Sequence, residues 1–464
     1  MANPTSSLGW RDLVAEGRAA RVALIALGVW LNAADSLVTS TIMPTVSRDL
    51  GGYAYFSWAT AAYMVGAILS GATAARISAM LGLRRAMIAA GLVTAAGCAV
   101  SALAPGMITL VAGRGVQGLG AGWIVGACFA AIGAMFPQRH LARVFGIMTS
   151  MWGVATVLGP LVGAAFAEGD EWRWLFWFFG AQCAAFVVAA WRLLPSEAPG
   201  ADRRTPWLQL ALVLGGVGFI GAADLASGAL AAAVLCAASL AIFAAATRLQ
   251  PGPHSLFPRS AGDPASVMGA AYLSYFALTA PAMCFSVYAP ALLQKLYGFS
   301  PMAAGYAAGL ESVGWTAAAL GVAGLDLRWH PPMIRLGGAC VAGSLAVMAL
   351  VTRAGPVWAI LAAATVLGAG FGLTSGFVAR RVMAVAEDGE REVASAGVNS
   401  VRQVGNAAGA CLAGIIANLA GMASGVTTAA AQAAAVWLFA LSAPVALVGA
   451  IACWRVAGAR VQER

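Results

Sequence analysis

Charge is what this chain has least of. Asp, Glu, Lys and Arg make up 10% of its 464 residues, while 61% are hydrophobic. Ordinary soluble domains are about 25% charged, and a soluble protein with this balance would leave much of its apolar surface in water. Lys295 is the single lysine among 27 cationic side chains. Histidine is as scarce: His140, His254 and His330 fall in separate loops and form no ligand cluster. The eight cysteines (Cys98, Cys128, Cys183, Cys236, Cys284, Cys340, Cys411 and Cys453) lie in apolar stretches and make no C-x-x-C, which argues against a disulfide framework or a zinc site. No phosphate-cradling G-x-x-x-x-G-K-[ST] loop occurs, so ATP drive is not expected, and neither is any other cofactor. Clustered acids of the D-x-x-D kind and H-x-x-x-H spacings are also missing, which speaks against a membrane-embedded enzyme. No soluble signalling domain is visible, which speaks against a receptor.

What the chain has is long apolar runs. The first 21 residues are polar and carry Arg11, Arg18 and Arg21; the run after them is too long for a signal peptide and contains Asp35, so it reads as a first membrane span. Runs of about the 20 residues a span needs fall at 22–46, 56–78, 84–104, 107–135, 141–166, 172–194, 207–224, 228–247, 265–293, 301–325, 332–351, 356–379, 393–420 and 430–454. The seventh and eighth are short, and a twelve-span alternative makes them one re-entrant hairpin. With the N-terminus inside, the inward segments hold 21 arginines and the outward loops hold Arg48, Arg173, Lys295 and Arg353. That is a strong positive-inside bias. It accounts for the net charge of +9 by topology, so no nucleic-acid partner is expected. Polar linkers at 195–206 and 248–264 bracket the central pair. The plan is an all-α polytopic protein of the cell membrane with both termini cytoplasmic. It has a six-helix bundle at 1–194, two extra helices within 195–264 and a second six-helix bundle at 265–464. It is expected to be a monomer in the lipid bilayer.

Polar residues inside the spans are the candidate site. Arg114 sits in Gly113-Arg-Gly-Val-Gln117-Gly-Leu-Gly120, and a guanidinium at bilayer depth costs at least about 2.5–3.5 kcal/mol. Asp35 lies about 12 residues, or about 18 Å, from the outer end of span one. Desolvation there favours the protonated acid and a neighbouring cation favours the carboxylate. An Asp35–Arg114 pair that opens and closes would therefore be a proton gate; a fixed structural ion pair is the competing reading. Glu311 lies near mid-membrane with Trp315 at i+4 on the same helix face, which suits a lipophilic cation. Glu311 could equally carry a proton or pair structurally with Arg402. Asn399, Arg402, Gln403 and Asn406 form one stripe on span thirteen, facing a cavity or neighbouring helices. Asn32 and Gln117 are similar candidates for substrate contact or helix–helix bonding. The ladders Gly118-Gly122-Gly126 and Gly368-Gly372-Gly376 have the spacing of close helix packing.

With these residues in hand, the chain resembles the major facilitator superfamily, specifically the fourteen-span drug:proton antiporters of the EmrB/QacA type. Asp35-Ser-Leu-Val-Thr-Ser-Thr-Ile-Met-Pro44 is similar to that family's first-span signature, with Leu37 where threonine is usual. Arg114-x-x-Gln117-Gly118-x-Gly120 resembles the motif the family associates with proton coupling. Gly153 through Gly159-Pro160-Leu-Val-Gly163 resembles its antiporter motif. Trp172-Arg-Trp-Leu-Phe176, Gln294 through Gly298-Phe-Ser-Pro301, and Arg402-Gln403 with Gly405 and Gly409 resemble further family features. The loop after span two departs from the pattern. Ala75 and Ala79 stand at the Gly and Asp positions of G-x-x-x-D-x-x-G-R-R, which implies a weaker inward latch. The resemblance implies a major facilitator fold and export of hydrophobic or cationic drugs against protons, hence antibiotic resistance. Asp35, Arg114 and Glu311 would couple protons, and Asn32, Gln117, Glu311, Trp315, Asn399 and Gln403 would bind substrate. Gly118, Gly122, Gly159, Pro160 and Gly163 would pack helices. The alternative cargo is an endogenous metabolite, siderophore or lipid.

Overall fold

In a hydrocarbon layer each backbone N–H and C=O must find its partner within the protein, and a helix does this within a single segment. The chain obeys that rule throughout. The computed structural model describes residues 18–136, 138–195, 206–226, 228–249, 255–352, 355–387 and 390–459. Fourteen helices of 18 residues or more follow one another there, with no strand among the described residues. They are α1 (Arg18–Leu50), α2 (Trp58–Leu81), α3 (Leu83–Ala102), α4 (Met107–Met135), α5 (Gln138–Glu168), α6 (Trp172–Leu193), α7 (Trp207–Asp224), α8 (Ala229–Arg248), α9 (Val267–Tyr297), α10 (Pro301–Val322), α11 (His330–Val351), α12 (Val357–Val385), α13 (Arg391–Leu419) and α14 (Thr428–Gly458). Short 3-10 turns, η1 (Tyr53–Tyr55), η2 (Leu327–Trp329) and η3 (Met422–Ser424), mark three of the connections.

Among the described residues, eleven of the helices are long and apolar enough to cross a membrane; α2, which contains residues outside the described set, is not among them, and neither are α10 and α13. The latter two carry the polar groups of the candidate site, Glu311 and the Asn399–Asn406 stripe. Both α7 and α8 qualify separately, so the pair has the length of two crossings rather than of one re-entrant hairpin. Three helix starts are capped by a side-chain hydroxyl. Ser266, Ser300 and Thr427 accept from the amides of Gly269, Ala303 and Ala430, and Pro301 follows its cap at N1. Gly82, at φ 76°, makes the one-residue break between α2 and α3, a conformation that favours glycine.

The two six-helix sets repeat one packing pattern. In the first, α1 packs on α5, α4 on both α2 and α3, and α3 on α6. In the second, α9 packs on α13, α12 on both α10 and α11, and α11 on α14. The halves meet along two seams, α5 with α10 and α2 with α13, which the repeat interchanges. The inserted pair breaks this symmetry: α7 packs on α8 and also on α2 and α13, alongside one seam.

The ends of the bundle differ in chemistry. At one end Arg48 pairs with Asp170 and Arg173 with Asp49, while η1 packs on η3. At the other, Arg259 pairs with Glu390 at 3.6 Å and Arg381 caps α14 by donating to the carbonyls of Val456 (2.7 Å) and Ala459 (2.8 Å). Arg11, Arg203, Arg204, Arg353, Arg460 and Arg464, residues 196–205 of the first linker and 250–254 of the second, and the loop residues Asp388 and Gly389 lie outside the described residues, as do the side chains of Arg139 and Ala75.

Candidate functional site

The site begins with glycine. On α4, a Cβ on Gly118 would overlap the carbonyl of Tyr63, and one on Gly122 would overlap the hydroxyl of Ser70, so α2 and α4 approach to backbone contact. That closeness holds Arg114, one turn before Gly118, over the Tyr63 ring, with Cζ 4.5 Å from the centroid. The guanidinium then forks onto Asp35 of α1: Nη1 donates to Oδ1 at 2.8 Å and Nη2 lies 2.8 Å from Oδ2. Gln117 closes the figure. Its Oε1 accepts from Arg114 Nη1 at 2.8 Å and its Nε2 donates to Asp35 Oδ1 at 2.9 Å. Arg114 Nε points to the carbonyl of Ala59 at 3.4 Å, and the Tyr63 hydroxyl donates to Asn32 Oδ1 at 2.9 Å. Arg114 and Gln117 are 2% exposed and Asp35 3%. A small pocket lined by Thr94, Cys98, Phe179 and Cys183 adjoins Asp35.

A bidentate pair this dry is held by geometry, because its mutual attraction must offset several kcal/mol of desolvation per ion. Asp35 has both oxygens 2.8 Å from Arg114, and Gln117 braces the two. Gln117 therefore spends its amide on the pair, and Asn32 spends its oxygen on Tyr63, so both sit in this cluster rather than facing open space.

The second half repeats the joint with different chemistry. Cβ atoms on Gly368 and Gly372 of α12 would overlap the carbonyls of Glu311 and Trp315 on α10; for Gly376 no neighbour stands that close. Superposing Gly118 on Gly368 puts Tyr63 opposite Glu311 and Arg114 opposite Ala364, which is wholly buried. The arginine position of the first half is thus an alanine in the second. Glu311 Oε2 accepts from the Ser286 hydroxyl at 2.8 Å, and among the described residues no ion pair reaches it. Arg402, the cation that the alternative of structural pairing would put beside it, donates to Asn399 Oδ1 at 3.0 Å. Trp315 stacks on Phe371, centroids 5.2 Å apart and planes at 19°, so one of its faces is already covered.

Asn399, Arg402, Gln403 and Asn406 form a third group along α13, where Asn406 and Gln403 approach to 3.5 Å. A Cβ on Gly159 would stand 3.1 Å from Leu37 of α1 and one on Gly163 3.0 Å from Thr41, and Pro160 faces Gly305 of α10 across the α5–α10 seam.

Residues 25–410 match the Major Facilitator Superfamily. The chain belongs to that superfamily. It is 30% identical over 441 residues to a probable multidrug-efflux transporter of Mycobacterium tuberculosis, covering 90% of this chain and 92% of the relative. Multidrug resistance protein 3 of Bacillus subtilis matches at 30% over 165 residues, 35% of this chain and 32% of that protein. Among solved structures, an inward-facing, unoccupied bacterial homologue of the human lysosomal transporter Spinster aligns with a TM-score of 0.68 at 13% identity, covering 96% and 97% of the two chains. A D-xylose–proton symporter aligns at 0.63 and 15% identity, covering 91% and 96%. The fold is that of a major facilitator transporter, and the protein is a multi-pass membrane transporter rather than an enzyme.

Sequence reasoning missed Tyr63, the ring under Arg114, although it stands five residues into an apolar helix with a hydroxyl to satisfy. It also missed Ser286, which is one serine among many, and the Ser57–Asp224–Asn418 cluster, whose three members lie far apart in the chain.

Proposed function

We propose that this transporter exports hydrophobic or cationic small molecules in exchange for protons, by alternating access, as a monomer in the cell membrane with both termini cytoplasmic. The observation that carries the reading is the buried Asp35–Arg114–Gln117 cluster. A carboxylate gripped by a permanently charged guanidinium gives up its proton; released from it into a dry interior, it takes one back. Helix movement that opens and closes the pair then links proton uptake to conformation. The multidrug-efflux relative supports the cargo class, and the EmrB/QacA-type motifs support a fourteen-span antiporter. The arginine-rich end would be cytoplasmic by the positive-inside rule. At the opposite end Gly305 packs toward Thr41 and Pro160 and Asn418 reaches Ala54, which supports reading that end as an outer gate that is shut.

The energetics suffice. One charge crossing 100 mV yields about 2.3 kcal/mol, which for a neutral cargo and one proton supports a gradient on the order of 50-fold. A monovalent cation exchanged one for one moves no net charge and is driven by the pH difference alone. Glu311, with a hydroxyl donor and no cation, is the group suited to a cationic cargo, beside Trp315. Asn399 and Gln403 offer polar groups along α13.

Flux in reconstituted vesicles tests this, with an imposed pH difference and a panel of lipophilic cations and neutral drugs. Export should follow the proton gradient and acidify the opposite compartment. Transport indifferent to pH, or confined to one endogenous metabolite, siderophore or lipid, would replace this reading with the corresponding alternative.

A further inference from the structure

The inserted helix α7 ends in a buried acid that no part of the proton site uses. Asp224 is 6% exposed. Its Oδ2 accepts from the Ser57 hydroxyl at 3.0 Å, at the start of α2, and its Oδ1 accepts from Asn418 Nδ2 at 2.8 Å, at the end of α13. Asn418 Nδ2 also donates to the carbonyl of Ala54 in η1 at 2.9 Å. One carboxylate therefore ties three segments together: the insertion, the first half and the second half. The fit is tight. Gly414, one turn before Asn418, has no room for a Cβ, which would overlap both Ser57 Oγ and Asp224 Oδ2; Trp58 closes over Gly221 one turn before Asp224, 3.0 Å from where a Cβ would stand. Beside the cluster, Phe56 stacks on Tyr288 of α9 with centroids 5.1 Å apart. Among the described residues Asp224 joins no ion pair; Tyr288 and Cys411 are its titratable neighbours.

The other seam is built differently. There Gly305 of α10 packs against Thr41 and Pro160, and Gly309 against Thr156, by steric contact of small residues. Two seams that the repeat makes equivalent are thus closed by unlike means, and the hydrogen-bonded one is the seam that α7 flanks.

We propose that Asp224 is a clasp for the gate at the η1–η3 end: through it the inserted helix pair holds the α2–α13 seam shut, and its bonds to Ser57 and Asn418 break whenever that end opens. The inference rests on the alternating-access reading but on neither the cargo nor the proton site. An exposed seam lets water replace these bonds, whereas a closed seam without the carboxylate leaves the Ser57 hydroxyl buried without its acceptor and takes from Asn418 Nδ2 one of its two acceptors, leaving only the carbonyl of Ala54. Removing Asp224 therefore raises the open fraction.

Distances between spin labels at Tyr53 in η1 and Ala423 in η3, carried on incorporated ketone side chains so that the native cysteines stay in place, read the seam in lipid nanodiscs without substrate or pH gradient. With Asp224 intact the short-distance population should dominate. Asp224→Ala should raise the ratio of long to short distances by about 5- to 150-fold. Asp224→Asn, close to isosteric, should raise it less, because its single carbonyl oxygen keeps one of the two bonds. If Asp224→Ala does not fold, Asp224→Asn decides alone. A ratio unchanged from the parent in the folded variants overturns the clasp. A shift in the ratio together with absent proton-coupled flux would sink the proposed transport activity and leave the clasp standing.

Discussion

In the first half the glycine ladder of α4 closes on Tyr63, and an arginine one turn earlier reaches across to Asp35; in the second half the ladder of α12 closes on Glu311, and Ala364 occupies the arginine's place. The scaffold is the same and the charge balance is opposite. Asp35 is neutralised within its own half and shut away with its partner at 2–4% side-chain exposure. Glu311 has a serine hydroxyl for company and stays half-buried. A repeated fold thus offers two acids at different depths of commitment. One is held at both oxygens by its arginine, and the other has no cation beside it among the described residues.

Breaking the first pair should have the largest effect. Asp35→Asn leaves the Arg114 charge buried without its counter-ion, which costs about 3–5 kcal/mol, and it removes the group proposed to take up the proton. Thermal unfolding should fall, and export driven by an imposed pH difference should be lost even where folded protein reaches the membrane. Export continuing at the unaltered rate would take Asp35 out of the mechanism. The comparison predicts no such cost for Glu311→Gln, which strands no cation.

Arg114→Lys probes the same pair more gently. The charge stays, but an ammonium cannot span both oxygens of Asp35 and Gln117 as the fork does, and it can shed its proton when buried. Removing one such charge-assisted hydrogen bond costs about 1.5–3 kcal/mol. Coupled flux should drop steeply while cargo binding, measured by equilibrium quenching, holds. Full transport by the lysine variant would mean that positive charge alone matters there and that the forked geometry does not.

Much of this was readable beforehand because hydrocarbon imposes few solutions. Helix positions follow from apolar run length, and all fourteen expected runs fall on helices with ends shifted by at most six residues. The Asp35–Arg114 pair was legible because charges at that depth need partners and each was the obvious one available. The competing reading that paired Glu311 with Arg402 followed the same logic and failed, since opposite charges in one half do not ensure contact: Arg402 donates to Asn399 one turn away on its own helix. Ala364 explains the failure only once the two ladders are superposed, and that requires knowing which carbonyl each glycine faces. Asp224 was visible as a letter and invisible as a site, because its partners at 57 and 418 meet only in three dimensions.

The smallest expected effect is also the most discriminating, because it depends on the cargo. Glu311→Gln keeps the acceptor for Ser286 and the shape of the side chain, so the fold and the α10–α12 joint should be undisturbed. If the carboxylate recognises cationic cargo, a quaternary ammonium forfeits a charge-assisted interaction of about 1.5–3 kcal/mol, or roughly 10- to 150-fold in affinity. A neutral drug loses little and can gain from the easier desolvation of an amide. If Glu311 instead carries a proton, both cargoes should lose pH-driven export together while their affinities stay. Isothermal binding and vesicle flux on the same preparation separate the two roles. Unchanged binding and unchanged flux for both cargoes would leave Glu311 a structural residue, and would make the missing arginine at Ala364 a feature of packing rather than of recognition.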